Sequence, residues 1–156
     1  MEWDRDAAVE RINQVMQSGI VPHNTALGFR ALDCGPGFAV VEVPYREDLV
    51  GDPARGVIHG GVITTLLDAI SGIAVFLARM DSSRIATLDL RIDYMGPATP
   101  GRNVIGRADC YKLTRSVAFV RGVAYHDDPA DPIASSAGTF MIFRGEHSPF
   151  KEELGG

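Results

Sequence analysis

The feature that most constrains this chain is an apolar run over residues 62–80 with a single carboxylate, Asp68, inside it. The run is long enough to span a membrane, but a charged side chain near its middle makes insertion costly. A helix buried within protein is therefore the better interpretation. Apolar residues cover most of the circumference of this helix, so the rest of the chain is expected to fold around it.

Segments that alternate apolar and polar residues, as half-buried strands do, lie on both sides of the central helix in the sequence. Strands are predicted over residues 29–34, 38–45, 86–95, 102–113, 117–126 and 133–143. A surface helix is predicted over 4–17, and loops are predicted over 22–25 and 46–58. About six strands joined mostly by hairpins favour an antiparallel α+β architecture, with one sheet wrapped around the helix.

Length and composition fit one domain, with an N-terminal helix in residues 1–20 and a core over 27–145 of the 156 residues. The net charge of −5 does not favour nucleic-acid binding, which normally needs a concentrated basic face. Cys34 and Cys110 have no partner at metal-ligand spacing, so free thiols in a reducing cytosol are expected. The N-terminus lacks the features of a signal peptide. A cytoplasmic protein with no metal, no membrane and no nucleic-acid partner is expected.

A polar stripe crosses the apolar helix. Thr64, Asp68 and Ser71 are spaced i, i+4 and i+7, so they share one face. Such a stripe is an interface seam or an active-site wall, unless Asp68 is simply hydrogen-bonded to Thr64 or to a loop amide. The sequence alone leaves these alternatives open.

The residues His59-Gly60-Gly61 stand directly before the helix. Two glycines at a helix N-terminus leave backbone N–H groups unpaired, with the helix dipole behind them. Such groups could stabilise the oxyanion that forms when a thioester carbonyl is attacked, although two glycines also permit a tight turn. His59 could be an acid/base group or could support the loop through hydrogen bonds, and the second interpretation is favoured.

The spacing between the glycines and Asp68 is informative. Gly60 and Asp68 are about two helical turns apart, roughly 10–12 Å along one helix. Both would have to lie about 3 Å from a single reacting carbonyl. One chain cannot satisfy this, so we predict a site shared between antiparallel helices of two subunits.

The motif GVIHGGV at residues 56–62, with Asp68 nine residues after His59, resembles the signature of PaaI-like acyl-CoA thioesterases. Residues 87–98, TLDLRIDYMGPA, are similar to the strand that follows the helix in that family. The resemblance extends over about residues 27–143. It implies the hotdog fold, in which a curved antiparallel sheet wraps one long helix. It also implies hydrolysis of acyl-CoA without a separate cofactor, by a homotetramer built from two-chain units.

The resemblance further implies roles for individual residues. Gly60 would donate its N–H to the thioester oxygen, and Asp68 would be the nucleophile or the general base. Thr87 would help to position the attacking water, and His59 would shape the turn that carries the amide.

Contacts to the substrate are less specific in the sequence. The candidate substrate-binding residues are Gly61, Thr64, Ser71 and, for a CoA phosphate, Arg115. In related proteins a polar amide side chain about six residues before the histidine contributes to the site, whereas this chain has Pro53 there. Another group must supply that contribution, or it is absent.

Two other functions compete with thioester hydrolysis. A hotdog hydratase or dehydratase needs a histidine and a carboxylate poised together on the acyl chain, and Asp68 has no such partner nearby in the sequence. A non-catalytic acyl-CoA-binding protein is the other alternative. An aryl or medium-chain acyl group is expected, because Phe29, Phe76 and Tyr94 could line its pocket, although such residues are more often part of the core.

Overall fold

A computed structural model describes residues 3–81 and 83–147 of the chain. Helix α1 spans Arg5–Gln17, the short helix α2 spans Pro22–Leu27, and the central helix α3 spans Gly60–Arg79. A single 3-10 turn, Glu47–Leu49, lies between the first strands and α3.

The strands form one large sheet and one small hairpin. They are β1 Arg30–Gly35, β2 Phe38–Val43, β3 Val50–Asp52, β4 Val57–Ile58, β5 Ser83–Tyr94, β6 Val104–Leu113, β7 Val117–Tyr125 and β8 Ala134–His147. Six of them make an antiparallel sheet in the order β1-β2-β6-β7-β8-β5, and β3 pairs with β4. The predicted antiparallel α+β architecture is confirmed.

The sheet wraps around α3, which contacts β2, β5, β6, β7 and β8. Leu66, Leu67 and Ile70 on α3 have no solvent exposure, and each such side chain contributes about 1.5–3 kcal/mol when it is buried. Close approach requires small residues on the sheet. A Cβ atom on Gly106 of β6 would lie 2.8 Å from Ile70 Cδ1, so only glycine lets the strand approach the helix this closely.

By length and composition alone, α3 could also cross a membrane. Helices at the core of other proteins meet the same two criteria, and α3 packs against five strands. The presence of Asp68 in the apolar run predicted a helix buried within protein, and α3 is packed in this way.

Two segments predicted as loops contain regular structure. Residues 22–25 begin α2, so the loop prediction there was wrong: Pro22 occupies the first helical turn and Gly28 ends the helix with a left-handed φ of 72°. Residues 46–58 contain the 3-10 turn and the β3–β4 hairpin. The hairpin is too short to produce an alternating pattern in the sequence.

Both cysteines are free, as predicted. Cys34 is buried and Cys110 is half-buried. Burial raises the pKa of both thiols above the ordinary value, which disfavours the reactive thiolate.

Helix α1 covers the free edge of the sheet at β1. The Asn13 side chain accepts a hydrogen bond from the Ala31 N–H at 2.7 Å and donates one to the Ala31 carbonyl at 3.1 Å. The amide side chain therefore replaces the neighbouring strand that an edge lacks.

Replacing Asn13 with Ala should reduce the free energy of unfolding by about 1–3 kcal/mol, because the backbone N–H and carbonyl of the buried Ala31 both lose their partner. The matched control is Gln14→Ala on the exposed side of α1, which should change stability by less than about 0.5 kcal/mol. Urea unfolding of the two variants measures the difference. Equal stability of both would show that the edge does not depend on Asn13.

Candidate active site

A row of polar groups lies where α3 faces β5, the edge strand of the sheet. We call it the α3–β5 seam, made of Gly60, Thr64, Asp68, Thr87 and Tyr94. The Tyr94 hydroxyl contacts Gly60 and Thr64 near the start of α3, and Thr87 contacts Asp68 further along. The strand thus runs antiparallel to the helix and is joined to it by hydrogen bonds at two places.

Asp68 is half-buried in the single chain rather than enclosed. The Thr87 hydroxyl donates a hydrogen bond to Asp68 Oδ1 at 2.9 Å, so the partner is neither Thr64 nor a loop amide. Within residues 3–81 and 83–147 this is the one hydrogen bond to the carboxylate. The other oxygen is left to accept from water or to approach a substrate.

His59 is the N-cap residue of α3. The ring Nδ1 of His59 accepts a hydrogen bond from the Gly61 N–H at 2.8 Å, and the backbone N–H of His59 donates to the Leu49 carbonyl at 2.9 Å. An accepting Nδ1 requires the neutral ring with its proton on Nε2. The absence of a side chain at Gly51 makes room for His59, because a Cβ atom on Gly51 would lie 2.8 Å from His59 Cα. These contacts support the interpretation of His59 as the residue that fixes the turn.

The two glycines that begin α3 differ in their hydrogen bonding. The Gly61 N–H is occupied by His59, whereas the Gly60 N–H has no acceptor within the described residues. The start of α3 therefore presents Gly60 as an open donor, with the positive end of the helix dipole behind it. A developing oxyanion is the kind of group that such a donor stabilises.

The other candidate substrate contacts lie in different surroundings. Thr64 is exposed on the seam. Ser71 is 1% exposed and donates its hydroxyl proton to the Leu67 carbonyl at 2.7 Å, so it takes no part in the function proposed below. Arg115 is exposed in the β6–β7 turn. This turn is at the same end of the sheet as Thr87, because Thr87 pairs with Phe140 and Phe140 with Ala118.

Tyr94 was expected only as a possible lining of the acyl pocket or as a core residue, and its contact with the start of α3 was not predicted. Residues 87 and 94 are an odd number of positions apart, so a regular strand would place them on opposite faces. A β-bulge between Thr87 and Asp89 adds one residue, Leu88, and turns both side chains towards α3. A bulge of this kind leaves no clear signal in the sequence.

A cavity of about 560 Å³ lies elsewhere, beside α1 and α2. Met16, Phe29 and Pro44 line it, together with the ion pair between Arg30 and Glu42. No residue of the seam borders this cavity. The chemical groups rather than the cavity mark the candidate site, as expected if a second chain supplies the missing wall.

Comparisons with known proteins agree with the fold and the motif. A family model described as the thioesterase superfamily matches residues 55–133. The medium/long-chain acyl-CoA thioesterase YigI of Escherichia coli is 30% identical over 135 residues, which cover 78% of this chain and 86% of that relative. The family resemblance predicted from the His-Gly-Gly motif and Asp68 is confirmed.

Solved structures share the architecture. A Pseudomonas aeruginosa protein is 41% identical with a TM-score of 0.76, covering 87% of this chain and 99% of its own. A variant of the phenylacetic acid degradation protein PaaI from Thermus thermophilus is 30% identical with a TM-score of 0.68, covering 78% of this chain and 99% of its own. The predicted hotdog fold is therefore confirmed.

Removing the cap should weaken the start of α3. We expect His59→Ala to lower the free energy of unfolding by about 0.5–2 kcal/mol, because the Gly61 N–H loses its acceptor. His59→Asn supplies another capping oxygen and should recover most of that loss. Urea unfolding of both variants is the measurement. If the alanine variant is as stable as the unaltered chain, the cap has no structural role.

Proposed function

This chain belongs to the thioesterase superfamily, and we propose that it hydrolyses acyl-CoA thioesters in a site shared between two copies of itself. The observation that carries the proposal is the pairing of an open donor with an oriented carboxylate on one exposed seam. The donor is the Gly60 N–H, and the carboxylate is Asp68, held by Thr87. The YigI relative is named for acyl-CoA hydrolysis, which supports the same substrate class here.

The reaction needs one base and one oxyanion donor. As general base, Asp68 takes a proton from water while the water oxygen attacks the thioester carbonyl. The Gly60 N–H stabilises the negative oxygen of the tetrahedral intermediate. The carbon–sulfur bond then breaks, the CoA sulfur takes up the proton that Asp68 removed from water, and the free acid leaves. Direct attack by Asp68 through an anhydride is the other route, and both routes require the ionised carboxylate.

Helix α3 keeps the donor and the base apart in one chain. Gly60 and Asp68 lie on the same continuous helix, about 12 Å apart along its axis. No side-chain rotation closes that distance. The Gly60 of one chain must therefore act with the Asp68 of another.

The edge strand β5 offers a way to join two chains. Its outer edge has no neighbouring strand within the described residues, and Leu88 and Met95 beside it are 53% and 59% exposed. Antiparallel pairing of β5 with a second copy about Leu90 would set Asp89 opposite Arg91 of the partner subunit, and the reverse. Opposite charges in such cross-strand positions stabilise the pairing.

The same register also assembles the proposed site. Pairing about Leu90 brings Tyr94, which lies against Gly60, beside the partner strand on the far side of its bulge at Leu88. That part of the partner strand carries Thr87 of the partner subunit, the residue that holds the proposed catalytic carboxylate. The charge pairs between the strands and the assembly of the site therefore favour the same two-fold dimer, in which β5 pairs with β5 of the partner subunit. A homotetramer of two such dimers, located in the cytoplasm, belongs to the same proposal.

The acyl group is proposed to be aryl or medium-chain, and the medium-chain class also appears in the name of the YigI relative. A hydratase is disfavoured because the ring of His59 is engaged as the cap of α3, where its Nδ1 accepts from the Gly61 N–H. The functions separate when acyl-CoAs are incubated with the protein and a thiol reagent. Release of free CoA supports hydrolysis, a product without free thiol indicates hydration, and binding alone indicates a non-catalytic protein.

We predict that Asp68→Asn lowers kcat by about 10²–10⁴-fold, because the amide keeps the shape and the bond from Thr87 but is not a base. Affinity for a CoA analogue should change little. For the unaltered protein, kcat/KM should fall on acidification with one limiting ionisation, since a protonated carboxyl cannot accept the proton. The matched control is Asp131→Asn in an exposed turn, which should leave kcat unchanged. A variant at Asp68 that unfolds more easily yet hydrolyses normally would contradict the assignment.

A further inference from the structure

Two consecutive peptide groups at the start of α3 are restrained by hydrogen bonds. The peptide between His59 and Gly60 is held through its carbonyl, which accepts from the Val62 N–H at 2.9 Å. The peptide between Gly60 and Gly61 is held at both of its polar atoms. Its N–H donates to His59 Nδ1 at 2.8 Å, and its carbonyl accepts from the Tyr94 hydroxyl at 2.8 Å.

Tyr94 is placed to fix this turn from the side of β5. A Cβ atom on Gly60 would lie 3.6 Å from Tyr94 Cε1, so the ring is close to the glycine. The Thr64 hydroxyl lies 2.5 Å from the Tyr94 hydroxyl and 3.2 Å from the Gly60 carbonyl. These three groups form a closed triangle over the first turn of α3.

We propose that Tyr94 is a positioning residue that aims the Gly60 N–H at the thioester oxygen. Glycine has broad freedom in φ and ψ, so two glycines in succession hold a donor in one direction only if their peptide groups are restrained. The histidine restrains one side of the turn and Tyr94 restrains the other. This inference rests on the proposed hydrolysis, because it assigns Tyr94 to the oxyanion site of that reaction.

The role differs from binding or acid catalysis in what it predicts. An oxyanion donor stabilises the transition state more than the bound substrate, so misaiming it lowers kcat and leaves KM nearly unchanged. A direct contact to the substrate would instead raise KM. A proton donor would change the alkaline side of the pH profile, whereas a positioning residue leaves the shape of that profile unchanged.

The test compares Tyr94→Phe with Tyr111→Phe. Both tyrosines are 51% exposed, but Tyr111 lies on β6 and its ring contacts Arg121, away from the seam. Tyr94→Phe should lower kcat by about 3- to 10-fold, the rate equivalent of one hydrogen bond. Its KM and the shape of its pH profile should be unchanged, and Tyr111→Phe should match the unaltered protein in all three.

A measurement that does not depend on activity separates this inference from the proposed function. In protein labelled with ¹⁵N-glycine, the amide signals of Gly60 and Gly61 should shift or broaden in Tyr94→Phe but not in Tyr111→Phe. If the unaltered protein hydrolyses no acyl-CoA while these signals respond, the hydrolysis is wrong and the restraint of the turn stands. Unchanged glycine signals would overturn the positioning role. An unchanged kcat, a rise in KM alone, or a loss of activity matched by loss of folded protein would also overturn it.

Discussion

The burial of α3 is the constraint on which the rest of this structure depends. A twenty-residue apolar helix must be covered on most of its circumference, and a single antiparallel sheet does this only by curving around it. Small residues make the close approach possible: Gly106 faces Ile70, and a Cβ on Gly122 would lie 3.3 Å from Leu67 Cδ2. The sheet covers α3 up to its last strand, β5, and Thr64 and Asp68 of the polar stripe remain at that margin, whereas Ser71 is buried.

The position of the seam explains why the candidate site looks incomplete in one chain. Asp68 is oriented by Thr87, and Gly60 is oriented by the capped turn, but the helix keeps them about two turns apart. The same margin carries the outer edge of β5, which pairs with no other strand of the described residues, and exposed apolar side chains such as Leu88. An edge of this kind is normally covered or paired. The strand edge that a second chain could cover therefore lies beside Gly60 and Asp68, the two groups that a second chain could bring together.

Much of the fold could be predicted from the sequence because its elements have strong periodicity. The apolar run marked α3, and alternation marked the long strands β5 to β8 and the hairpin of β1 and β2. Helix α2 was missed although Pro22 and Gly28 are typical boundary residues, because six residues carry too little periodicity. The β3–β4 hairpin was missed for the same reason, and it is the hairpin that holds His59 against Gly51.

The site could be predicted only in part, because its contacts join residues distant in sequence. Gly60 and Asp68 were proposed from a local motif and from a carboxylate in an apolar helix. The contact of Tyr94 with Gly60 crosses 34 positions and depends on the bulge at Leu88. The sequence also did not show which of the two glycines has a free N–H. The structure does, because the Gly61 N–H donates to His59.

Mixing two inactive variants tests the shared site most directly. Gly60→Val disturbs the donor, because a branched side chain beside the Gly60 N–H would crowd the substrate carbonyl, and Asp68→Asn removes the base. When the two chains are refolded together, each mixed dimer contains one site with both substitutions and one site with neither. The account predicts that about a quarter of the unaltered activity returns if the chains pair at random. A mixture in which mixed dimers are detected by mass spectrometry but remain as inactive as either variant alone would contradict it, because donor and base would then belong to one chain.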